Sequence, residues 1–181
     1  STRVYLPEGM LLDGISPEVI RNLGYPLRKE FRRIPKERAR KQIGDYLNDR
    51  LLVVLGGSQG AVSLNRWVKD NLESLASEGI ATYCLTGMKN ESSGVVQLEG
   101  LGGQIVTSRF VSFTDEMNAV LSAADLVISR AGAGAIAEIV RCRIPSILIP
   151  YPHAGDNHQF LDAEFLERKG GAILCSEKKM V

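Results

Sequence analysis

The chain contains two short apolar runs that each end in a glycine-rich turn and then continue in a helical pattern. Residues 51–55 (LLVVL) lead into residues 56–60 (GGSQG), and residues 126–129 (LVIS) lead, one residue later, into residues 131–135 (AGAGA). A strand that ends at glycines and restarts as a helix leaves free backbone N–H groups at the positive end of the helix dipole. Because that end attracts phosphate and diphosphate groups, the two turns together predict a nucleotide-dependent site.

Apolar runs alternate with helical patterns over the rest of the chain. After the first turn, apolar residues recur every three or four positions between residues 61 and 75, which is typical of one face of a helix. Such alternation predicts a doubly wound α/β domain whose parallel strands are joined by right-handed crossovers. Because these sheets bind ligands at the carboxyl ends of their strands, both glycine turns lie where a ligand is expected.

The boundaries of the predicted elements follow from the same patterns. Predicted strands cover residues 51–55, 80–85, 104–107, 110–113, 126–129, 146–149 and 172–175. Predicted helices cover residues 38–47, 61–75, 133–141 and 157–169, with a short one capped by Asp115. Four glycines leave residues 91–103 as a short helix or a loop, and the rest of residues 1–50 reads as irregular, with one short helical turn after Ser16.

Composition limits the classes of partner. The chain has 181 residues, 44% hydrophobic and 24% charged, with a net charge of +1, which predicts one globular domain and no electrostatic case for nucleic acid or an acidic membrane surface. Basic residues concentrate in residues 28–33 and 36–41, a pattern typical of a solvated helix face. The three cysteines show no metal-ligand spacing, and isolated thiols favour a reducing cytoplasm. The chain opens without methionine, so we expect it to be part of something longer.

The first turn, GGSQGA, matches neither the GxGxxG pattern nor the GxxxxGK[ST] phosphate loop. The hydroxyl of Ser58 and the N-terminus of the following helix could still hold a phosphate or orient a substrate. The alternative is a plain tight turn, in which the glycines serve only backbone geometry.

The second turn is followed by Glu138, about one turn inside the predicted helix. The glycines allow a diphosphate to approach the backbone, and the carboxylate of Glu138 could accept hydrogen bonds from both hydroxyls of a ribose. The alternative is a surface glutamate that the helix dipole favours.

A third cluster, residues 150–159 (PYPHAGDNHQ), follows the next predicted strand. Its polar side chains suit the hydroxyl-rich edge of a sugar, and the alternative is capping of the next helix by Asp156 or Asn157. His153 and His158 have no paired acid or cysteine, so they make a poor metal site. The sequence shows no nucleophile motif and one conceivable base, His153, so it predicts binding more firmly than complete catalysis.

Four of these motifs together resemble glycosyltransferase family 28. They are residues 24–28 (GYPLR), the GGSQGA turn, residues 130–133 (RAGA) with Glu138, and the pair His158-Gln159. The resemblance covers most of the chain and implies a GT-B enzyme, in which two Rossmann-like domains face a cleft and the C-terminal one binds a UDP-sugar. It implies that residues 28–181 are this donor-binding domain, that residues 1–27 are a linker-like segment, and that the N-terminal acceptor domain is absent.

The same resemblance implies which residues bind the substrate. It assigns Arg28 and Ser58 to the diphosphate region, and Ala133, Gly134 and Ala135 to the phosphates. Glu138 is assigned to the ribose, and Thr114 to the uracil through its backbone. His158 and Gln159 are assigned to the N-acetylglucosamine hydroxyls, and Gln59 belongs to the same substrate-binding set. The chain departs from the family at Tyr25 and Asp162, where asparagine is usual, and at Leu27, where valine is usual.

As activity, the resemblance implies an inverting, metal-independent transfer of N-acetylglucosamine from UDP-GlcNAc to a lipid-linked acceptor, the lipid I to lipid II step of peptidoglycan synthesis. It implies no cofactor and a catalytic base in the absent domain, so that this chain alone would be inactive. Acceptor and membrane would be contacted through that domain, with the full enzyme cytoplasmic and peripheral at the inner face of the cell membrane. Two alternatives stay open: a nucleotide-sugar-binding subunit of a split glycosyltransferase, and a GT-B enzyme similar to a UDP-GlcNAc epimerase.

Overall fold

The computed structural model describes residues 3–6, 14–22, 24–29, 31–44, 50–57, 61–88, 93–152 and 157–180. The strands in this part of the chain are β1 (Val4–Leu6), β2 (Ile20–Asn22), β3 (Arg50–Leu55), β4 (Ile80–Leu85), β5 (Gly94–Glu99), β6 (Ile105–Val111), β7 (Leu126–Arg130), β8 (Ser146–Ile149) and β9 (Ile173–Leu174). The α-helices are α1 (Lys36–Ile43), α2 (Val62–Ser77), α3 (Met117–Ala123), α4 (Ala133–Cys142) and α5 (His158–Arg168). Short 3-10 helices cover Pro17–Val19 and Glu177–Lys179.

Strands β3 to β9 form one mostly parallel sheet in the order β5-β6-β4-β3-β7-β8-β9. The chain runs outward from β3 through β4 to the edge strand β5, and β6 then returns between β5 and β4. It crosses to the other side of β3 as β7 and continues to β8 and β9. At the edge, β5 runs antiparallel to β6. The predicted doubly wound α/β fold is therefore confirmed, and its winding reverses between β3 and β7.

Both faces of the sheet are covered, because successive side chains of each strand point to opposite apolar layers. In β3, Leu51 and Val53 belong to a layer that α1, α3 and α4 cover. Leu52 and Val54 belong to the opposite layer, together with Val68 of α2. The continuous apolar run at residues 51–55 is thus explained by burial on both sides. Within the described residues, no helix is long and apolar enough to cross a membrane.

The antiparallel edge is a β-hairpin, where the sequence predicts a short helix or loop followed by two separate strands. β5 pairs with β6 along its whole length, so the prediction for residues 91–103 is wrong over this strand. The sequence pattern of β5 is weak because an edge strand pairs on one side only and the side chains of β5 are largely exposed. β6 runs unbroken through Ser108, whose buried hydroxyl accepts a hydrogen bond from the Thr82 N–H at 3.0 Å. That buried polar residue divides the apolar pattern in two.

Two other local predictions are wrong. Asp115 does not cap α3, because the residue flanking the helix is Glu116, whose N–H donates to Oγ1 of Thr114 at 3.0 Å. The threonine hydroxyl thus forms a local turn with the residue before the helix, whereas a capping aspartate would accept an N–H from the first helical turn. Near the start of the chain, where the sequence predicts an irregular segment, β1 and β2 pair in parallel as a separate two-stranded sheet.

Helix α1 is fastened to the rest of the fold by basic residues that the sequence predicts to be solvated. Arg40 is buried, and it donates to the carbonyl of Ala123 at 3.1 Å and to Oδ2 of Asp125 at 2.5 Å. Lys36 also pairs with Asp125, and the same carboxylate accepts the Leu51 N–H at 2.8 Å. Burial raises the pKa of Asp125, but these hydrogen bonds and the charge of Arg40 outweigh it, so the pKa lies below its ordinary value.

Candidate functional site

The two glycine turns lie side by side at the carboxyl edge of the sheet. β3 continues into Gly56-Gly57 and β7 continues into Ala131-Gly132. The two strands are neighbours, with Leu55 opposite Ser129, and the winding of the sheet reverses between them. Doubly wound sheets bind their ligands in the crevice at such a reversal. The structure therefore brings both predicted phosphate turns to the position where this fold class holds a ligand.

The two turns use glycine for different reasons. Gly57 has a φ of +80°, in the left-handed region, so the first turn needs glycine for its backbone geometry. Gly132 has a φ of −71° and a ψ of 140°, which any residue adopts, and a Cβ built there meets no described atom within 4 Å. Neither backbone nor packing demands glycine at this position, so the space beside it is open to a ligand. Ser58 and Gln59 lie outside the described residues, and their substrate contacts stay predictions.

Helix α4 begins immediately after Gly132, which has no side chain to cap it. The N–H of Ile136 donates to the carbonyl of Gly132 at 3.0 Å and closes the first helical turn. The N–H groups of Ala133, Gly134 and Ala135 precede that bond and point out of the helix end, where the dipole is positive. All three residues are exposed or partly exposed. The residues predicted to line the phosphates thus form an exposed helix N-terminus, the kind of group that attracts anions.

The segment before α1 flanks the start of α4. Leu27 packs against the core and Phe31 is buried, so two apolar side chains anchor this segment. The Phe31 N–H donates to the carbonyl of Arg28 at 2.9 Å, which forms a turn between the anchors. The ring of Tyr25 lies 3.8 Å from a Cβ built on Gly134. The segment therefore presents Tyr25 to the N-terminus of α4 and holds Arg28 close by.

Glu138 lies on α4, just beyond the N–H groups at its start. Its side chain is half-buried; burial raises the pKa of its carboxyl, and the positive charge of Arg28 opposes that shift. Two residues predicted to bind the substrate, Arg28 and Glu138, are thus brought to the same end of one helix. Together with the exposed N–H groups, they offer donors for phosphate oxygens and an acceptor for hydroxyls.

Arg130, the last residue of β7, contacts the start of α2, the end of β8 and the 3-10 helix at Glu177–Lys179. The sequence predicts no role for it beyond its place in the RAGA motif. Its Nη1 donates to the carbonyls of Ile149 and Pro150, both at 3.3 Å, and its Nη2 donates to Oγ of Ser63 at 2.9 Å. The carboxylate of Glu177 accepts from both nitrogens, at 3.2 Å and 2.8 Å. One feature of the sequence points to these contacts, namely a charged residue at the end of an apolar strand. Because a buried guanidinium needs hydrogen-bond partners, such a residue is expected to contact several groups.

The loop after β8 is tied to α5 through Gln159. Its Oε1 accepts the N–H of Tyr151 at 2.9 Å, and the Tyr151 ring lies 5.4 Å from the guanidinium carbon of Arg130. His158 opens α5 and Asp162 follows one turn later; burial raises the pKa of Asp162, and the charge of His158 opposes that shift. The oxygen of the Gln159 amide therefore holds the loop after β8, whereas the amide nitrogen is a donor of the kind that binds a hydroxyl.

The capping alternative for this cluster fails at Asn157. This residue precedes α5 with a φ of 58°, and its side chain makes no capping hydrogen bond. Asp156 and His153 lie outside the described residues, so the structure leaves their predicted roles as predictions.

Thr114 lies apart from the start of α4, beyond the carboxyl end of β6. Its side chain accepts the N–H of Glu116 and lies against Tyr83. The strand order β6-β4-β3-β7 puts three interstrand steps, roughly 14 Å, between it and the turn after β7. A uracil contact at Thr114 therefore requires a ligand that extends along the edge of the sheet from α4.

A cavity of about 560 Å³ opens beside the loop after β8. Its walls include Tyr151, Phe160, Leu174, Glu177 and Lys178. Among the described residues, its lining includes none from α4. This cavity therefore lies apart from the start of that helix, where the sequence predicts the phosphates.

The comparisons with known proteins identify the family of the chain. The model of the glycosyltransferase family 28 C-terminal domain matches residues 51–181. The chain is 46% identical over 180 residues to the UDP-N-acetylglucosamine--N-acetylmuramyl-(pentapeptide) pyrophosphoryl-undecaprenol N-acetylglucosamine transferase of Opitutus terrae, which is 99% of this chain and 48% of the relative. It is 36% identical over 164 residues to the protein of the same name from Aquifex aeolicus, 90% of this chain and 45% of the relative. The chain thus spans about half the length of the curated relatives it matches.

Solved structures show the same fold. The crystal structure of Acinetobacter baumannii MurG matches with a TM-score of 0.62 and 23% identity, over 87% of this chain and 45% of that one. The kitacinnamycin glycotransferase matches with a TM-score of 0.61 and 16% identity, over 91% of this chain and 38% of that one. At these identities the likeness shows the Rossmann-like α/β fold alone.

Proposed function

The chain belongs to glycosyltransferase family 28, and from this membership we propose that it is the donor-binding domain of a transferase that uses UDP-GlcNAc. The acceptor would be N-acetylmuramyl-(pentapeptide) pyrophosphoryl-undecaprenol, as the names of the relatives state for them. The product would be lipid II for peptidoglycan synthesis. The observation that carries the proposal is the exposed N-terminus of α4, with Glu138 and Arg28 beside it.

In this proposal each part of the donor has its own partners. The diphosphate lies at the N–H groups of residues 133–135, where the helix dipole and the Arg28 guanidinium favour negative charge. The carboxylate of Glu138 accepts hydrogen bonds from the ribose hydroxyls. The uracil extends towards the backbone of Thr114, and the sugar extends towards His158 and Gln159. Tyr25 forms the wall beside Gly134.

The reaction would be a direct displacement with inversion. An acceptor hydroxyl attacks the anomeric carbon of N-acetylglucosamine while the bond from that carbon to the diphosphate oxygen breaks. The bonding electron pair leaves with UDP, and the hydroxyl proton passes to a base supplied from outside this chain. Negative charge grows on the leaving diphosphate, where preorganised N–H groups stabilise it at no cost in reorganisation. This chain would therefore bind the donor and stabilise its leaving group.

The setting of the reaction is part of the same proposal. Contact with the lipid acceptor and with the inner face of the cell membrane would come from the part of the protein outside this chain. No cofactor and no metal would be needed, because Arg28 and the α4 N-terminus supply the positive charge for the diphosphate. Chelation with EDTA is expected to leave donor affinity unchanged.

Calorimetric titration of the folded chain with UDP and UDP-GlcNAc tests the proposal. Both ligands are expected to bind, and Glu138→Ala is expected to weaken UDP binding by about 1–3 kcal/mol, the cost of losing hydrogen bonds to a charged group. Removing the ribose 2′-hydroxyl from UDP should weaken binding to the wild type and have little effect on Glu138→Ala, because the two changes remove the same contact.

The matched control is Glu164→Ala, which removes an exposed carboxylate of α5 that pairs with Arg168. This variant is expected to bind UDP like the wild type. No binding at millimolar UDP by folded chain would contradict the proposal. The relatives named above do not favour the two alternatives, a split-enzyme subunit or an epimerase. An epimerase would convert UDP-GlcNAc without an acceptor, which product analysis detects.

A further inference from the structure

The Arg130 guanidinium connects the turn that leads into α4 with the loop that leads into α5. Arg130 directly precedes Ala131-Gly132, and its Nη1 holds the carbonyls of Ile149 and Pro150 at the start of the other loop. Its side chain is 10% exposed, and charge-assisted hydrogen bonds are strong where water is largely excluded. The two loops are therefore held at a fixed separation.

Glu177 fixes the orientation of this guanidinium. Its carboxylate accepts from Nη1 at 3.2 Å and from Nη2 at 2.8 Å, and a two-point contact orients a planar group as a single contact does not. Glu177 comes from the 3-10 helix beyond β9, 47 residues along the chain from Arg130. Glu177, which is remote in sequence, thus orients Arg130 towards both loops together with Ser63, whose Oγ accepts from Nη2 at 2.9 Å.

The effect of this pair extends to Gln159. Arg130 holds the carbonyl of Pro150, and the next residue, Tyr151, places its ring beside the guanidinium. The N–H of Tyr151 in turn donates to Oε1 of Gln159 at 2.9 Å. The position of the Gln159 amide relative to the start of α4 is therefore set through an unbroken series of contacts that begins at Glu177.

We propose that Glu177 is a positioning residue for sugar recognition, which acts through Arg130 to set the distance between the diphosphate site at α4 and the amide of Gln159. This inference rests on the proposed function. UDP engages α4 and the Thr114 side of the sheet edge but not Gln159, whereas UDP-GlcNAc must engage α4 and Gln159 together. Loss of the Glu177 carboxylate should therefore weaken the binding of UDP-GlcNAc and spare that of UDP. A general loss of stability would weaken both ligands alike.

The test compares calorimetric affinities of Glu177→Gln for UDP-GlcNAc and for UDP. We expect the dissociation constant for UDP-GlcNAc to rise roughly three- to tenfold, the equivalent of one displaced hydrogen bond, and that for UDP to rise less than about twofold. Glu177→Asp, which keeps the charge, should recover part of the lost affinity and serves alone if Glu177→Gln does not fold. The control is Glu164→Gln, an exposed carboxylate outside this network.

Equal weakening of both ligands, or no weakening of either, would overturn the inference and leave the proposed function standing. If the wild type binds neither ligand, the proposed function and the inference fail together. Selective weakening of UDP-GlcNAc in Glu177→Gln, with partial recovery in Glu177→Asp, supports both.

Discussion

Gly132 and Glu138 lie close together at the start of α4, and the stability of the fold explains neither of them. Gly132 has an ordinary backbone conformation and no described neighbour within 4 Å of a built Cβ. Glu138 is an acid whose pKa burial raises, which means that the folded chain holds its ionised form at a cost. Residues that do not serve stability are typical of sites shaped by binding.

Gly132→Ala is expected to fold normally and to bind UDP poorly. A methyl group there meets open space in the ligand-free chain but occupies the approach of the diphosphate, which should cost about 1–3 kcal/mol of binding free energy, as overpacking does. Calorimetry gives the affinity and thermal unfolding gives the stability. Gly94→Ala is the matched control, because a Cβ on this β5 residue also meets no described atom within 4 Å. Unchanged UDP affinity in Gly132→Ala would exclude close approach of the ligand.

Glu138→Gln is expected to stabilise the ligand-free chain at pH 7 while it weakens UDP binding. The pKa of Glu138 is raised in the folded state, so protonation favours folding, and that contribution is complete below the ordinary value of 4.5 and lost as the pH rises through the folded-state pKa. The free energy of unfolding at pH 7 should increase by only about 0.5 kcal/mol, because the half-exposed carboxyl is screened by water.

Urea unfolding of both proteins between pH 3 and pH 7 measures this difference. It should shrink towards zero below pH 4.5, where the wild-type carboxyl takes up its proton. If Glu138→Gln is less stable than the wild type at pH 7, this would contradict the conclusion that burial raises the pKa of Glu138.

Single residues of the site differ in how far the sequence predicts them. The position of Glu138 can be predicted from its spacing after a glycine turn, because a helix places it one turn beyond the exposed N–H groups. The pairing of Arg130 with Glu177 cannot be predicted from the sequence, because the two residues lie 47 positions apart and local spacing carries no information about their contact. The second use of Gln159, as acceptor for the Tyr151 N–H, is a tertiary contact of the same kind.

Among the elements, α1 is attached partly through ion pairs with Asp125. Asp125→Asn is expected to lower the free energy of unfolding by about 1–3 kcal/mol, because Arg40, with a side chain 9% exposed, loses its charged partner. The pKa of Asp125 is lowered in the folded state, so its stabilisation is present above the ordinary value of 3.8 and lost as the pH falls through the folded-state pKa.

Urea unfolding at neutral and at acidic pH checks this expectation. The difference between Asp125→Asn and the wild type should narrow as the pH falls below 3.8. Glu164→Gln, which breaks an exposed pair on α5, should change stability by less than about 0.5 kcal/mol. An Asp125→Asn variant as stable as the wild type at pH 7 would show that apolar packing alone holds α1.

The sequence predicts the central elements well and the edge poorly, for a physical reason. β3, β7 and β8 are buried on both faces, so their apolar runs are continuous and their bounds are clear. β5 is an exposed edge strand, and its pattern is too weak to separate a strand from a loop. The start of α3 depends on which of several polar residues takes one hydrogen bond, which local sequence does not decide.

At the scale of the whole molecule, the winding of the sheet reverses between β3 and β7, and the fold brings the described parts of both glycine turns, Gly56-Gly57 and Ala131-Gly132, to that edge of the sheet. The chain covers 48% of the Opitutus terrae relative, and under the proposed function it carries only part of the reaction. This chain would hold the donor and the leaving group, and the rest of the protein would supply the acceptor and the base.

The most direct measurement is a backbone amide NMR titration of the isotopically labelled chain with UDP. The largest shifts are expected at Ala133, Gly134 and Ala135, whose N–H groups would meet the diphosphate, with smaller ones at Gly57 across the crevice. Shifts confined to the cavity beside Tyr151 and Phe160, or no shifts at millimolar UDP, would contradict the account.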